Sequence, residues 1–130
     1  MRSLVVIAVC ALVGMSFLFA KAPKSLSSYQ WKSRVIVSYH KNEEAKAEQQ
    51  AMADEKRAEI LDRDLVILDF QDLSKEDQAK LQAQHGMKPG THLLIGKDGG
   101  VKGAQDTPLD FSKWFALIDT MPMRKQEMRE

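Results

Sequence analysis

The chain has 130 residues, 44% of them apolar and 28% charged, the mixture of one ordinary globular domain. Its 19 Lys and Arg face 18 Asp and Glu, and Arg2 is the only charge before Lys21, so the remainder carries 18 of each sign. A neutral body has no long-range attraction for phosphate backbones or anionic lipid, and no nucleic-acid partner is expected.

At the front, Arg2 precedes an uncharged apolar run, Leu4 to Ala20, that Lys21 ends. A basic start, an apolar stretch and small residues at its end form a secretory signal over residues 1–20. Cleavage after Ala20 is expected, with Ala22 as the alternative and Pro23 disfavouring it. As a helix the run would span roughly 25 Å, short of the ~30 Å hydrocarbon core, so no stable membrane span is expected after cleavage. The expected location is periplasmic or secreted. The sole cysteine, Cys10, lies inside the run. A chain cut at Ala20 holds no thiol, which rules out disulfides, thiolate metal sites and thiol catalysis.

Residues 21–32 read as an irregular entry whose Leu26, Tyr29 and Trp31 pack on a domain over 33–121. Arg34 to Tyr39 is rich in β-branched residues and predicts a first strand, apolar enough to be buried on both faces. Asn42 caps a helix with Glu43 and Glu44 in its first turn, running to about Leu61. Its small stripe of Ala47, Ala51, Ala58 and Leu61 predicts close packing with little burial. Asp64 to Phe70 is the second strand. Ser74 with Asp77 opens a helix that Gly86 closes.

Thr91 to Lys97 is the third strand, and Asp98-Gly99-Gly100 turns it into a short edge strand, Val101 to Ala104. Thr107 caps the last helix with Pro108 at its first position. Phe111, Trp114, Phe115 and Ile118 form the strongest amphipathic stripe in the chain. Pro122 ends that helix, and a charged tail follows over 122–130. There, Met121, Met123 and Met128 are expected to fold back on the domain, leaving Arg124, Lys125 and Arg129 solvated.

Strand, helix, strand, helix, hairpin, helix is an α/β order. A right-handed crossover makes the first two strands parallel, and the hairpin adds two more. That is a thioredoxin-like three-layer sandwich. The segment His85 to Val101 resembles the thioredoxin stretch in which a Pro-Thr step enters an apolar strand. Here the order is Pro89-Gly90-Thr91, so Gly90 stands where that fold keeps its cis-proline; sequence leaves the isomer of Pro89 open.

A more specific resemblance rests on Asp62 to Val66, Leu94 to Lys102 and Ile118 to Arg129, with the entry Tyr29-Gln30-Trp31-Lys32. These pieces resemble a bacterial exported domain-of-unknown-function family (number 4174). The family is related to peroxiredoxin-like domains of animal sushi-repeat-containing extracellular proteins. The resemblance implies a thioredoxin-like fold without a redox motif. It implies no reaction and no catalytic residue.

The motifs that suggest chemistry have plainer readings. Gly90 to Lys97 has the wrong spacing for a phosphate loop, and Asp98 stands where a hydroxyl is required. Asp62, Asp64, Asp69 and Asp72 are interrupted by strand residues and do not make a calcium loop. His40, His85 and His92 lack metal-ligand spacing, and no Ser-His-Asp set stands out. No metal and no cofactor are expected.

If the fold is thioredoxin-like, the loop after the first strand faces the loop into the third. That would gather His40, Lys41 and Asn42 against Gly90, Thr91 and His92, with alternation able to turn His92 toward the core. Glu43 and Glu44 at the helix start repel an anion, so a polar, uncharged or cationic ligand suits this place better. The expected function is a redox-inactive binding or scaffold module of the envelope. Its partner would be an envelope or extracellular protein or a small polar ligand. The alternative is a cysteine-independent enzyme using His40 and nearby polar groups.

Overall fold

The computed structural model describes residues 22–130. Residues 1–20, expected to be a secretory signal, and Cys10 among them lie outside the described residues. The entry holds one turn of 3-10 helix at Leu26–Ser28 and an isolated bridge from Lys24 to Leu73. Strand β1 (Arg34–Tyr39) leads to α1 (Glu43–Glu55) and α2 (Arg57–Asp62), then β2 (Leu65–Asp69). After a 3-10 turn at Phe70–Asp72 come α3 (Lys75–His85) and the hairpin of β3 (Thr91–Ile95) and β4 (Val101–Asp106). Helices α4 (Phe111–Asp119) and α5 (Pro122–Arg129) close the chain.

The four strands form one mixed sheet in the order β2-β1-β3-β4. β1 and β2 are parallel; β3 is antiparallel to both β1 and β4. Side-chain alternation sends Ile36 and Leu94 to one face, where Ala53, Ile60 and the α4 stripe cover them. Val35, Val37, Leu93 and Ile95 go to the other face, beneath Leu81 of α3 with Leu26 and Tyr29 of the entry. The expected α/β class therefore holds, with helices on both sides of the sheet. The stripe of α4, Phe111, Trp114, Phe115 and Ile118, is buried, and each side chain contributes about 1.5–3 kcal/mol by leaving water.

Ser74 Oγ accepts from Asp77 N at 3.2 Å, as the capping pattern predicts. The Asp77 carboxylate does not return to the cap; it accepts from Leu26 N at 2.9 Å and fastens the entry to α3. Gly86 ends α3 in a left-handed conformation, φ 59°.

Several local expectations are corrected. The long helix breaks at Lys56, and its buried positions are Gln49, Ala53 and Ile60; Ala47, Ala51, Ala58 and Leu61 are exposed. An alanine-rich stripe has too little apolar contrast to mark its own inner face. Asp64 is a left-handed turn residue at φ 48°, so β2 starts one residue later than expected. β4 extends to Asp106, and α4 starts at Phe111 with the Asp110 side chain accepting from Lys113 N. Thr107 and Pro108 lie before that cap, joined by the one cis peptide bond among the described residues, so Pro89 is trans. Pro122 opens α5 rather than beginning a tail, since proline suits a first helical turn. Arg124 is buried while Met123 and Met128 are exposed, against expectation, whereas Met121 packs on the core and Lys125 and Arg129 are exposed as expected.

Among the described residues, no helix is long and apolar enough to cross a membrane.

Candidate functional site

The β1–β3 pairing places Tyr39 opposite Thr91 and Ser38 opposite His92, so the loops at this end of the sheet meet. Gly90 N donates to Tyr39 O at 2.7 Å. A Cβ on Gly90 would lie 2.5 Å from Lys41 Cε, and its φ of 93° suits glycine, so the chain passes close beneath Lys41. The rings of His40 and His92 meet edge-on with centroids 6.1 Å apart. His40, Lys41, Thr91 and His92 are thus neighbours. Lys41 is exposed and Thr91 half-buried. Asn42 serves the helix instead, its Oδ1 accepting from Ala45 N at 2.8 Å.

His92 faces inward and is 1% exposed. Gln49 Nε2 donates to Ser38 Oγ at 2.8 Å, and Ser38 Oγ lies 2.8 Å from His92 Nδ1. On the far side of the ring, Nε2 lies 2.9 Å from Thr107 Oγ1, which donates to Gly90 O at 3.3 Å. The arrangement that satisfies every group has Nε2 donating to Thr107 Oγ1, which leaves the Thr107 hydrogen for Gly90 O. Nδ1 then accepts the Ser38 hydroxyl, whose oxygen accepts the Gln49 amide. Every member is satisfied with His92 neutral. Burial, aided by the nearby His40, lowers the His92 pKa to about 4.

His40 differs. It is half-buried, and its pKa is lowered by burial, opposed by Asp69 and reinforced by Lys46. It borders a cleft of about 180 Å³ with Lys46, Gln49, Asp69 and Asp72. Lys46 and Asp69 form an ion pair of 3.2 Å across the cleft. The cleft therefore presents imidazole, ammonium, amide and carboxylate groups side by side. Among the described residues, no three His, Cys, Asp or Glu side chains are grouped to hold a metal ion.

At the opposite end of β1 lies a cluster that the sequence reading missed. Both terminal nitrogens of Arg34 donate to Glu127, each at 3.0 Å, and Nη1 also donates to Arg63 O at 2.9 Å. Lys97 Nζ donates to Asp64 at 2.8 Å and to Glu127 at 2.9 Å. Arg124 joins Asp62 at 2.7 Å to Asp119 at 3.0 Å, and Arg63 returns to Asp119 at 2.9 Å. The guanidinium of Arg63 also lies 4.7 Å from the ring centre of Phe115. The available signal was the spacing of Arg124 and Glu127, one turn apart on a helix opened by Pro122.

Three of the sequence pieces quoted above meet in this cluster: Asp62 to Asp64, Lys97, and Asp119 with Arg124 and Glu127. A family model described as a domain of unknown function (DUF4174) matches residues 25–127. The chain belongs to that family. The DUF4174 match takes in all four strands, the His40 cleft and the ion-pair cluster, and ends on Glu127 itself. No curated protein and no solved structure matches the chain. Within this DUF4174 domain the two ends of the sheet have different characters. The Arg34 end is filled with mutually paired charges that bind α5. The His40 end keeps a half-buried imidazole beside an open cleft.

Proposed function

We propose that the mature protein is an exported, thioredoxin-like binding module without thiol chemistry, taking a small polar ligand in the cleft beside His40. A sheet ordered β2-β1-β3-β4, with β1 parallel to β2 and a β3–β4 hairpin, supports the thioredoxin-like reading. The apolar run before Lys21 and the position of Cys10 within it support export and a thiol-free body.

The observation that carries the ligand reading is the contrast between the two histidines. Both ring nitrogens of His92 are committed, to Ser38 and Thr107, in a closed relay that Gln49 and Gly90 complete, whereas His40 stands at the cleft with Lys46 and Asp69. Paired charges of both signs suit an uncharged or cationic polar molecule better than a free anion, which Glu43 and Glu44 would also repel.

NMR of the two imidazoles against glycerol, putrescine and acetate tests this. Glycerol or putrescine should move the His40 signals, acetate should not, and His40→Ala should remove the response. A His40 signal indifferent to both glycerol and putrescine would rule the reading out. N-terminal sequencing of the protein from an extracytoplasmic fraction should begin near Lys21; an intact Met1 there would rule out cleavage.

A further inference from the structure

A second cleft, of about 360 Å³, lies on the α3 side of the sheet and shares no lining residue with the cleft at His40. The entry segment forms one wall and is pinned at both ends. Leu26 N donates to Asp77 at 2.9 Å; at the other end Trp31 N donates to Lys97 O at 2.6 Å and Gln30 Nε2 to Asp98 O at 2.9 Å. Lys80, Gln84 and His85 of α3 line a second wall, and the Asp98-Gly99-Gly100 turn a third. The floor is apolar, with Val35, Leu81 and Ile95 all buried. We propose that this cleft binds a neutral saccharide of one or two rings.

The lining chemistry selects that ligand. A sugar ring has C–H faces and a rim of hydroxyls, each of which both donates and accepts. The floor suits the faces, and the Ser33 hydroxyl and Gln84 amide have the same double capacity as the rim. Lys80 adds donors, and the Asp77 oxygen not taken by Leu26 N adds an acceptor. The side chains of Ser33, Lys80, Gln84 and His85 hydrogen-bond to no other protein group among the described residues, so a ligand can take them. An anion would meet Asp77 and Asp98 on separate walls, and Asp98 is already paired with Lys102 at 2.8 Å, so a cation gains little there. A wholly apolar molecule would strip water from the polar walls and return no hydrogen bonds. The volume stands near the lower end of the roughly 300–1,000 Å³ of small-molecule sites, which favours a short saccharide.

Trp31 belongs to the same wall, between Gln30 and Ser33, which both line the cleft. It is 64% exposed, and its φ of 68° is a left-handed conformation that a bulky residue seldom adopts. Neither burial nor backbone preference explains an indole held in water this way by the bond to Lys97 O. A flat aromatic face beside a hydroxyl-binding cleft suits the C–H face of a sugar ring, because the face of the π system is electron-rich. Trp31 is also a reporter, since Trp114, the other tryptophan, is 2% exposed.

Calorimetric titration with two neutral disaccharides, cellobiose and chitobiose, tests the proposal. At least one should bind with a dissociation constant of about 1 mM, and the bound sugar should shield Trp31 from quenching by acrylamide. Gln84→Ala removes a rim amide at an exposed helix position that alanine suits, and should weaken binding about fivefold. Trp31→Ala should weaken it by a similar factor, about fivefold. His40→Ala should leave it unchanged, which separates this cleft from the one at His40; a His40 indifferent to its own probes would equally leave this result intact. The proposal is overturned if neither disaccharide binds at about 10 mM, if binding is indifferent to both Gln84→Ala and Trp31→Ala, or if His40→Ala abolishes it.

Discussion

Arg34 and Glu127, 93 positions apart, face each other through two parallel hydrogen bonds of 3.0 Å. One opens the strand at the centre of the fold and the other lies on its last helix, so the pair ties the end of the chain to its core. Arg34 is 1% exposed, so its charge depends on this carboxylate. Breaking a buried pair by deleting one partner costs about 3–5 kcal/mol. Glu127 is 23% exposed and Lys97 keeps Asp64, which reduces the cost. Glu127→Ala should lower stability by about 2–3 kcal/mol in urea denaturation. An unchanged midpoint would show that the pair contributes nothing net.

The same cluster sets an acid limit. Burial by itself would raise the Glu127 carboxyl, but hydrogen bonds and charges from Arg34 and Lys97 hold it below its ordinary 4.5. Asp119 likewise overcomes burial through Arg63 and Arg124 and lies below 3.8. As pH falls below about 4.5, the unfolded chain takes up protons that the folded one refuses, so stability declines with falling pH. Glu127→Gln and Asp119→Asn should each flatten this decline in stability measured from pH 5 to 2. A slope identical to that of the unaltered protein would remove the cluster from the acid response.

The strands were legible because β1 and β2 are short apolar runs and Asp98-Gly99-Gly100 has hairpin chemistry. The meeting of His40 with His92 was legible too, since it follows from strand order and pairing. The inner face of α1 was not. Gln49 is buried because its amide reaches Ser38 on another element, a reason that no local pattern contains. Pro122 was misread because proline both stops one helix and starts the next, and only the partners of Arg124 and Glu127 decide which. Those partners lie on β1, on two other helices and in the β3–β4 connection, so the spacing of Arg124 and Glu127 marks a charged helix face without naming what it pairs with.

Ser38 is the central link of the buried relay, accepting from Gln49 and serving His92 Nδ1, each at 2.8 Å. Ser38→Ala strands a buried amide and a buried ring nitrogen together. Leaving such groups unpaired costs about 1–3 kcal/mol each, partly recovered if they reorient. The expected loss is therefore about 2–3 kcal/mol, far more than a surface Ser→Ala change. Thr107→Val removes the contacts to His92 Nε2 and Gly90 O, but Gly90 O keeps Thr107 N and water can replace the hydroxyl at this exposed residue, so it should cost about 1 kcal/mol or less. Equal losses for the two variants would contradict the relay as assigned.

The relay also fixes how His92 answers to pH. Its neutral ring accepts at Nδ1 and donates at Nε2, so a second proton would meet the Ser38 hydroxyl already donating. Burial lowers its pKa from 6.5 to about 4. Between those values the unfolded chain binds a proton that the folded chain does not. Stability is therefore full above pH 6.5 and declines as pH falls toward 4, by about 3 kcal/mol in total. His40, whose pKa is also lowered by burial, adds in the same direction. His92→Asn in a His40→Ala background should flatten the decline between pH 6.5 and 4. The Glu127→Gln variant should leave the part of the decline between pH 6.5 and about 5.5 unchanged, because that carboxyl is ionised there in the folded and the unfolded chain alike. Nitrogen chemical shifts should identify the Nε2–H form of His92 at neutral pH. A ring protonated on Nδ1, or one titrating near 6.5, would show that His92 is not held neutral by these partners.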